Sequence, residues 1–275
     1  MGVLPGAKVT CGYTAPGGCI QIVLYEYQRT RNASHPREFL KKFSGICVTD
    51  GYQAYHTIEG EREDLRIAGC WFHARRRFDE AVKALPKAKQ KDSRAYLALT
   101  MIQAIYREEK QLKELPPQER QNRRRLSVRP LVEAYFIWGR ENLPKVPQKS
   151  KTREDFRYSL NQEKYLKVFL DDGEVPMDNN AAEQSIRGFC IGKKNWVMID
   201  TVAGAKSSAI IYSIAETAKA NNLKPYDYFE YLLTEIPRHL DDTDRAFLDD
   251  LLPWSPNFSA NCRKPGKEEV KHRVN

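Results

Sequence analysis

Residues 177–196 read MDNNAAEQSIRGFCIGKKNW, and the rest of the chain is organised around them. Asp178, Asn179 and Asn180 are residue types that accept the free backbone N–H groups of a helix start, and residues 181–184 are strong helix formers. The spacing therefore predicts a helix beginning here, followed by a turn and a basic strand. Ala182 and Ile186 share one helix face, while Glu183 and Arg187 lie one turn apart on another. Glu183 has two readings at this point: the closing member of a capping box begun by Asn180, or an inward carboxylate that does chemistry.

A second stretch bears on that choice. Residues 46–52, ICVTDGY, form a short apolar run that predicts a strand ending in Asp50 and turning at Gly51. If Asp50 and Glu183 meet at about 5 Å, they repel by roughly 3 kcal/mol at an effective dielectric of about 20, so the pair calls for a cation. Hard oxygen ligands of this kind favour Mg2+, with Mn2+ as its substitute.

The strings VTDGYQAY (48–55), GCWFHARRRF (69–78), DNNAAEQSIRGFCIGKKNW (178–196), SSAIIYSIAETAKANNLKPYDYFEYLL (207–233) and LLPW (251–254) occur in this order. Together they resemble the DDE-type transposases of the bacterial insertion-sequence sixty-six family, over about residues 20–254. The resemblance implies a mixed α/β fold: a partial RNase H-like sheet, with a large all-helical insertion between the second catalytic aspartate and the glutamate. It implies DNA transposition by metal-dependent strand cleavage and strand transfer, with Asp50 and Glu183 both catalytic and metal-holding. Two metal ions about 4 Å apart would then activate water or a DNA 3′-hydroxyl and stabilise the leaving oxygen. Glu216 is a reserve candidate for the helical acid.

Around these acids, Tyr52, Cys70, His73 and Asn180 are expected to shape the pocket. Arg75, Arg76, Arg77, Arg187, Lys193, Lys194 and Trp196 are expected to meet DNA, the aromatic ring as a stacking platform. Other readings stay open: a solvated helix face for the three consecutive arginines, and plain core for Trp196. The C-x-x-H spacing of Cys70 and His73 invites zinc, but two ligands are too few for a tetrahedral site.

The family's three acids begin with an aspartate on the opening strand of the sheet, yet no aspartate precedes Asp50 here. Glu26, on an expected second or third strand, and Glu38, on a first helix, do not fit that place. The expectation is a C-terminal portion of a transposase, without upstream DNA-binding modules and inactive alone. The alternative is a non-catalytic DNA-binding or regulatory fragment. The expected partners are transposon-end and target DNA, together with a second copy or a full-length transposase.

The remaining sequence sets the organisation. Residues 1–18, rich in glycine and proline, are read as irregular or as a frayed strand start, and residues 19–27 as a buried strand. Residues 19–78 form the first part of the catalytic core. A helical insertion covers 79–171, with Leu97, Met101 or Ile102, Ile105 and Leu112, then Leu131, Tyr135, Ile137 and Trp138, at helical spacing. Its cluster Arg120, Arg123, Arg124, Arg125 and Arg129 either grips a DNA backbone or is an ordinary wet helix. Residues 172–237 return to the core, where a long helix is expected to turn Ile210, Ile211, Ile214 and Ala218 inward. A docking element (238–255) and a disordered basic tail (256–275) follow.

With 275 residues, 41% of them apolar, the chain has enough material for one substantial core or two small ones. A formal charge of +9 favours an anionic partner, nucleic acid above all. The six cysteines contain no C-x-x-C pair, and no secretory signal opens the chain, so reduced thiols and a cytoplasmic location are expected. No apolar run reaches the roughly 18–20 residues that span a bilayer.

Overall fold

The computed structural model describes residues 7–11, 21–30, 32–180, 201–255 and 262–264. The chain divides into a central unit, Asn32–Asn180, and a terminal unit made of Met1–Arg31 with Ala181–Asn275.

In the terminal unit, β1 (Ala7–Cys11) pairs antiparallel with β2 (Val23–Tyr27), in a register from Ala7 opposite Tyr27 to Cys11 opposite Val23. The glycine-rich opening thus contains a regular strand, because its hydrogen-bond partner lies beyond the reach of local pattern. On β2, Val23 and Tyr25 are buried and Leu24 between them is exposed, the alternation of a half-buried strand.

The central unit begins with α1 (Ser34–Phe39) and β3 (Gly45–Thr49). From there α2 (Gln53–Gly60) crosses over to β4 (Leu65–Gly69), which pairs in parallel with β3, Gly45 opposite Leu65 and Thr49 opposite Gly69. Parallel pairing requires such a crossover. Leu40, Ile58, Leu65 and Ile67 bury a small core beneath it. Glu59 of α2 accepts the Ile67 N–H at 2.7 Å, satisfying a β4 donor that β3 does not reach.

β4 passes through Cys70 directly into α3 (Trp71–Lys83), whose Trp71, Ala74, Phe78, Ala81 and Val82 make a buried stripe at helical spacing. The chain continues through α4 (Lys87–Gln90), α5 (Arg94–Gln111), α6 (Pro117–Arg123), α7 (Arg129–Asn142), α8 (Lys151–Asn161) and α9 (Glu163–Leu166). Ile102, Ile105, Leu112 and Tyr135 are buried, as their spacing predicts. Leu97 and Ile137 are exposed instead, because Ala98 with Leu99 and Val132 with Phe136 form the inward rows.

The arginine cluster of this block is neither a DNA grip nor a wet helix at its main members. Arg124, on a π-helical turn between α6 and α7, is 1% exposed and paired with Glu109. Arg120 donates to the carbonyls of Leu112, Lys113, Leu115 and Gly173. Arg129 and Arg66 both meet Asp171 at 2.9 Å and hold its carboxyl below the usual range against the opposing effect of burial. These guanidiniums tie the chain after α9 to the helices before it.

In the terminal unit, α10 (Val202–Ala220) lies along β2. Thr217 Oγ1 accepts the Val23 N–H at 3.0 Å and donates to the Val23 carbonyl at 3.1 Å, while Ser213 Oγ accepts the Tyr25 N–H at 2.8 Å. Hydroxyls four residues apart on the helix thus serve backbone groups two apart on the strand, closing an edge that would otherwise be unsatisfied. That need overrides the apolar pattern: Ile210 and Ile211 are 61% and 54% exposed, and Ala209, Ser213, Thr217 and Ala218 face inward.

The helix ends as its sequence predicts, with Asn221 as cap and Asn222 in the left-handed region at φ 61°. Helix α11 (Pro225–Glu235) follows, then α12 (Phe247–Asp250). Tyr228 Oη donates to the Leu251 carbonyl at 2.9 Å, and Leu251 is buried, docking the LLPW segment. Arg263 bridges to Leu223, within the stretch expected to be tail. No helix among the described residues is long and apolar enough to cross a membrane.

Candidate active site

Asp50 follows the last residue of β3 and Cys70 the last residue of β4, so the two stand side by side at the carboxyl ends of a parallel pair. In open α/β sheets this end is where ligands bind. Asp50 is exposed, and its Oδ1 accepts the Tyr52 N–H at 3.1 Å, an Asx turn that fixes the carboxylate against its own backbone. No Lys or Arg among the described residues is ion-paired with it, a setting that suits an oxygen ligand for a hard divalent cation.

Gly51 makes the turn at φ 83°, and a Cβ added there would lie 3.0 Å from Tyr158 Oη and 3.3 Å from Gln162 Oε1. Gly51→Ala is expected to lower stability by about 1–2 kcal/mol from the left-handed backbone alone. The check is the urea midpoint of the variant; an unchanged midpoint would mean that the turn has other conformations open to it.

Cys70 and Trp71 reach the DNN motif across more than a hundred residues of sequence. The Cys70 thiol donates to Asn179 Oδ1 at 2.9 Å, the Asn179 N–H returns to Cys70 Sγ at 3.4 Å, and the Trp71 N–H donates to the Met177 carbonyl at 3.2 Å. Asp178 accepts Asn180 N–H at 3.1 Å and Asn180 Nδ2 at 2.8 Å. The segment leading to Glu183 is therefore anchored beside the strand that ends next to Asp50. Burial pushes the Cys70 thiol up to about 11, so it is a neutral hydrogen-bonding group at physiological pH.

Tyr52 sets its ring edge-on to Tyr55 at 6.3 Å, and His73 stands in the first turn of α3, its ring edge-on to Phe72. Of the three consecutive arginines, Arg76 pairs with Glu80 at 2.9 Å, whereas Arg75 and Arg77 lie over the rings of Tyr106 and Tyr158. Glu183, Arg187, Lys193, Lys194 and Trp196 lie outside the described residues. The reserve acid Glu216, on α10, pairs with Lys219 at 2.6 Å. Among the described residues no cluster of three or more His, Cys, Asp or Glu is placed to hold a metal ion.

Two neighbours of the site escaped sequence reasoning. Tyr158 of α8 donates to the Asp50 carbonyl at 3.2 Å, and Tyr106 of α5 donates to Asp178 Oδ2 at 2.9 Å. Nothing local marks either residue, since both read as ordinary amphipathic helix positions.

The structure thus sets a strand-end carboxylate beside a tethered asparagine-rich segment, and comparison with known proteins supplies the class, a transposase family. The model described as Transposase IS66 family matches residues 11–207, and that described as IS66 C-terminal element matches residues 213–254. The chain belongs to the IS66 transposase family.

Curated relatives occur in Sinorhizobium fredii (strain NBRC 101917 / NGR234). The protein called Uncharacterized protein y4qI is 30% identical over 241 residues, which is 85% of this chain and 43% of that protein. Uncharacterized protein y4jD is 28% identical over 236 residues, 84% of this chain and 45% of its own length. Uncharacterized protein y4hP is 27% identical over 253 residues, with shares of 88% and 44%. The chain thus spans less than half the length of each of these relatives. No solved structure matches it.

Proposed function

We propose that the chain carries two of the metal-holding carboxylates of a transposase strand-cleavage and strand-transfer centre, Asp50 and Glu183, on an RNase H-like core interrupted by the α4–α9 helical block. The observation that supports this reading is the pair of links from Cys70 and Trp71 to Asn179 and Met177, which tie residues 177–179, just before Glu183 in sequence, to the β4–α3 junction beside Asp50. Bound Mg2+ or Mn2+ would supply the Lewis acid for in-line displacement at phosphorus. The chain's own part is to hold two acidic oxygens in place. Exposed Arg75, with Arg187, Lys193, Lys194 and Trp196, is assigned to DNA at transposon ends or target.

The 275 residues offer no aspartate before Asp50. Phosphoryl transfer rests on positioning and charge stabilisation, so these 275 residues assayed alone, with two of the three acids that the resemblance implies, are expected to show no measurable cleavage. A second reading is a non-catalytic DNA-binding or regulatory role, which the formal charge of +9 would serve.

Titration of the chain with Mn2+ tests the site directly. Asp50→Ala and Glu183→Gln are each expected to weaken binding by at least about tenfold. Unchanged affinity in both variants would sink the metal-site assignment. In a nicking assay on transposon-end DNA with Mg2+ or Mn2+, wild-type turnover that vanishes in Asp50→Ala would overturn the inactivity of the isolated chain. DNA affinity that falls steeply with salt and is indifferent to Asp50→Ala would support the regulatory reading.

A further inference from the structure

The helical block does more than occupy the interval between the two acid-bearing motifs. Its α5 and α8 each send a tyrosine hydroxyl to one of those motifs, Tyr106 to Asp178 and Tyr158 to the Asp50 carbonyl. Each ring is covered by an arginine of α3: the Arg75 guanidinium lies 5.6 Å from the Tyr106 centroid, and that of Arg77 lies 4.1 Å from the Tyr158 centroid. We propose that Tyr106 and Tyr158 are positioning residues of the metal site, one holding the segment that leads to Glu183 and the other holding the Asp50–Gly51 turn. The proposal rests on the assignment of Asp50 and Glu183 as metal-holding carboxylates.

The geometry argues for positioning and against incidental packing. Asp50 is held from both sides of its backbone: its side chain takes the Tyr52 N–H, and its carbonyl takes the Tyr158 hydroxyl. The turn has no slack, since Tyr158 Oη lies 3.0 Å from where a Gly51 Cβ would be. Tyr158 is itself fixed. Arg77, stacked on its ring, faces the buried carboxylate of Asp155 at 3.8 Å, and Asp155 stands one turn before Tyr158 on the same helix.

On the other side, Asp178 takes the Tyr106 hydroxyl while gathering the Asn180 backbone and side chain. The Asp178–Asn180 turn thus keeps one conformation three residues before Glu183. A tyrosine phenol keeps its proton across the neutral range, so both hydroxyls act as donors there. Outer-shell partners that orient metal ligands are worth about 10–100-fold in metal affinity.

The test uses the full 275-residue chain, with Mn2+ alone as probe and thermal melting in parallel. Tyr158→Phe and Tyr106→Phe keep the ring and the arginine stack and remove only the hydroxyl. Each is expected to weaken Mn2+ binding about tenfold, with a melting temperature within about 3 °C of wild type. Asp50→Ala serves as the reference. If it leaves Mn2+ affinity unchanged, the metal-site assignment fails, and this proposal with it. If Asp50→Ala abolishes binding while both phenylalanine variants bind like wild type, the tyrosine proposal fails and the metal site stands. A loss of affinity that only follows a fall in melting temperature also overturns the positioning role, because it would mark the tyrosines as packing residues.

Discussion

Arg124→Ala is expected to lower the unfolding free energy by about 3–5 kcal/mol, the cost of breaking a buried ion pair from one side. The side chain is fully enclosed. Its Nε donates to Glu109 Oε2 at 3.0 Å, its Nη2 also meets Glu109, and its Nη1 reaches the carbonyls of Phe169, Asp172 and Val175 at 2.6, 2.7 and 3.0 Å. Alanine would leave a largely buried carboxylate without its cation and three carbonyls without a donor, and each buried polar group without a partner costs about 1–3 kcal/mol. Glu109→Gln keeps an acceptor opposite Arg124 and is expected to cost less than the arginine deletion. Urea unfolding followed by circular dichroism decides the matter. A midpoint for Arg124→Ala equal to wild type would show that water replaces the guanidinium without penalty, and the tie between α5, the π-helical turn and residues 169–175 would lose its importance.

Arg124 also marks the limit of what the sequence discloses. The ICVTDG run announces a strand ending in an acid and a glycine turn, and the structure has β3 followed by Asp50 with Gly51 in the left-handed region. Helix positions such as Ile102, Ile105 and Tyr135 are legible because apolar burial repeats with the helix period. Charge clusters are not legible in that way. Arg120, Arg124 and Arg129 look like a basic surface in one dimension, and only the fold brings the carbonyls and carboxylates of residues 169–173 against them. The same holds for Ile210 and Ile211, displaced from the inward face by the hydrogen-bond demand of β2, which no periodicity within α10 records.

Of the candidate site, Asp50 and the DNN segment are visible as local motifs. Their link through Cys70 and Trp71, and the tyrosines that reach them from the helical block, are long-range contacts between residues whose local pattern is unremarkable. Glu183, the residue on which the chemical reading turns, lies outside the described residues.

Trp71→Ala is expected to cost about 3–5 kcal/mol, the range for emptying a large aromatic site in a packed core. Trp71 has no exposed surface, its indole packs against Tyr135, Phe136 and Phe169 with ring centroids 5.5, 5.9 and 6.5 Å away, and its Nε1 donates to the Leu166 carbonyl at 2.8 Å. The loss has a second consequence, because the Trp71 backbone N–H is what holds the Met177 carbonyl. A cavity at the start of α3 lets that start shift, and the segment before Glu183 shifts with it. Trp71→Phe separates the two effects: it retains most of the apolar contact, leaves the Leu166 carbonyl without its indole donor, and is expected to cost about 1–2 kcal/mol while keeping the Met177 link. The comparison is made by urea unfolding read by circular dichroism, since the substitution removes a fluorophore, together with Mn2+ titration of both variants. If Trp71→Ala lowers stability as expected yet binds Mn2+ like Trp71→Phe, the core and the strand-end site are mechanically independent, and the β4–α3 junction is only scaffold. If affinity falls in the alanine variant and not in the phenylalanine one, the packing of a single indole is what holds residues 177–179 against the β4–α3 junction beside Asp50.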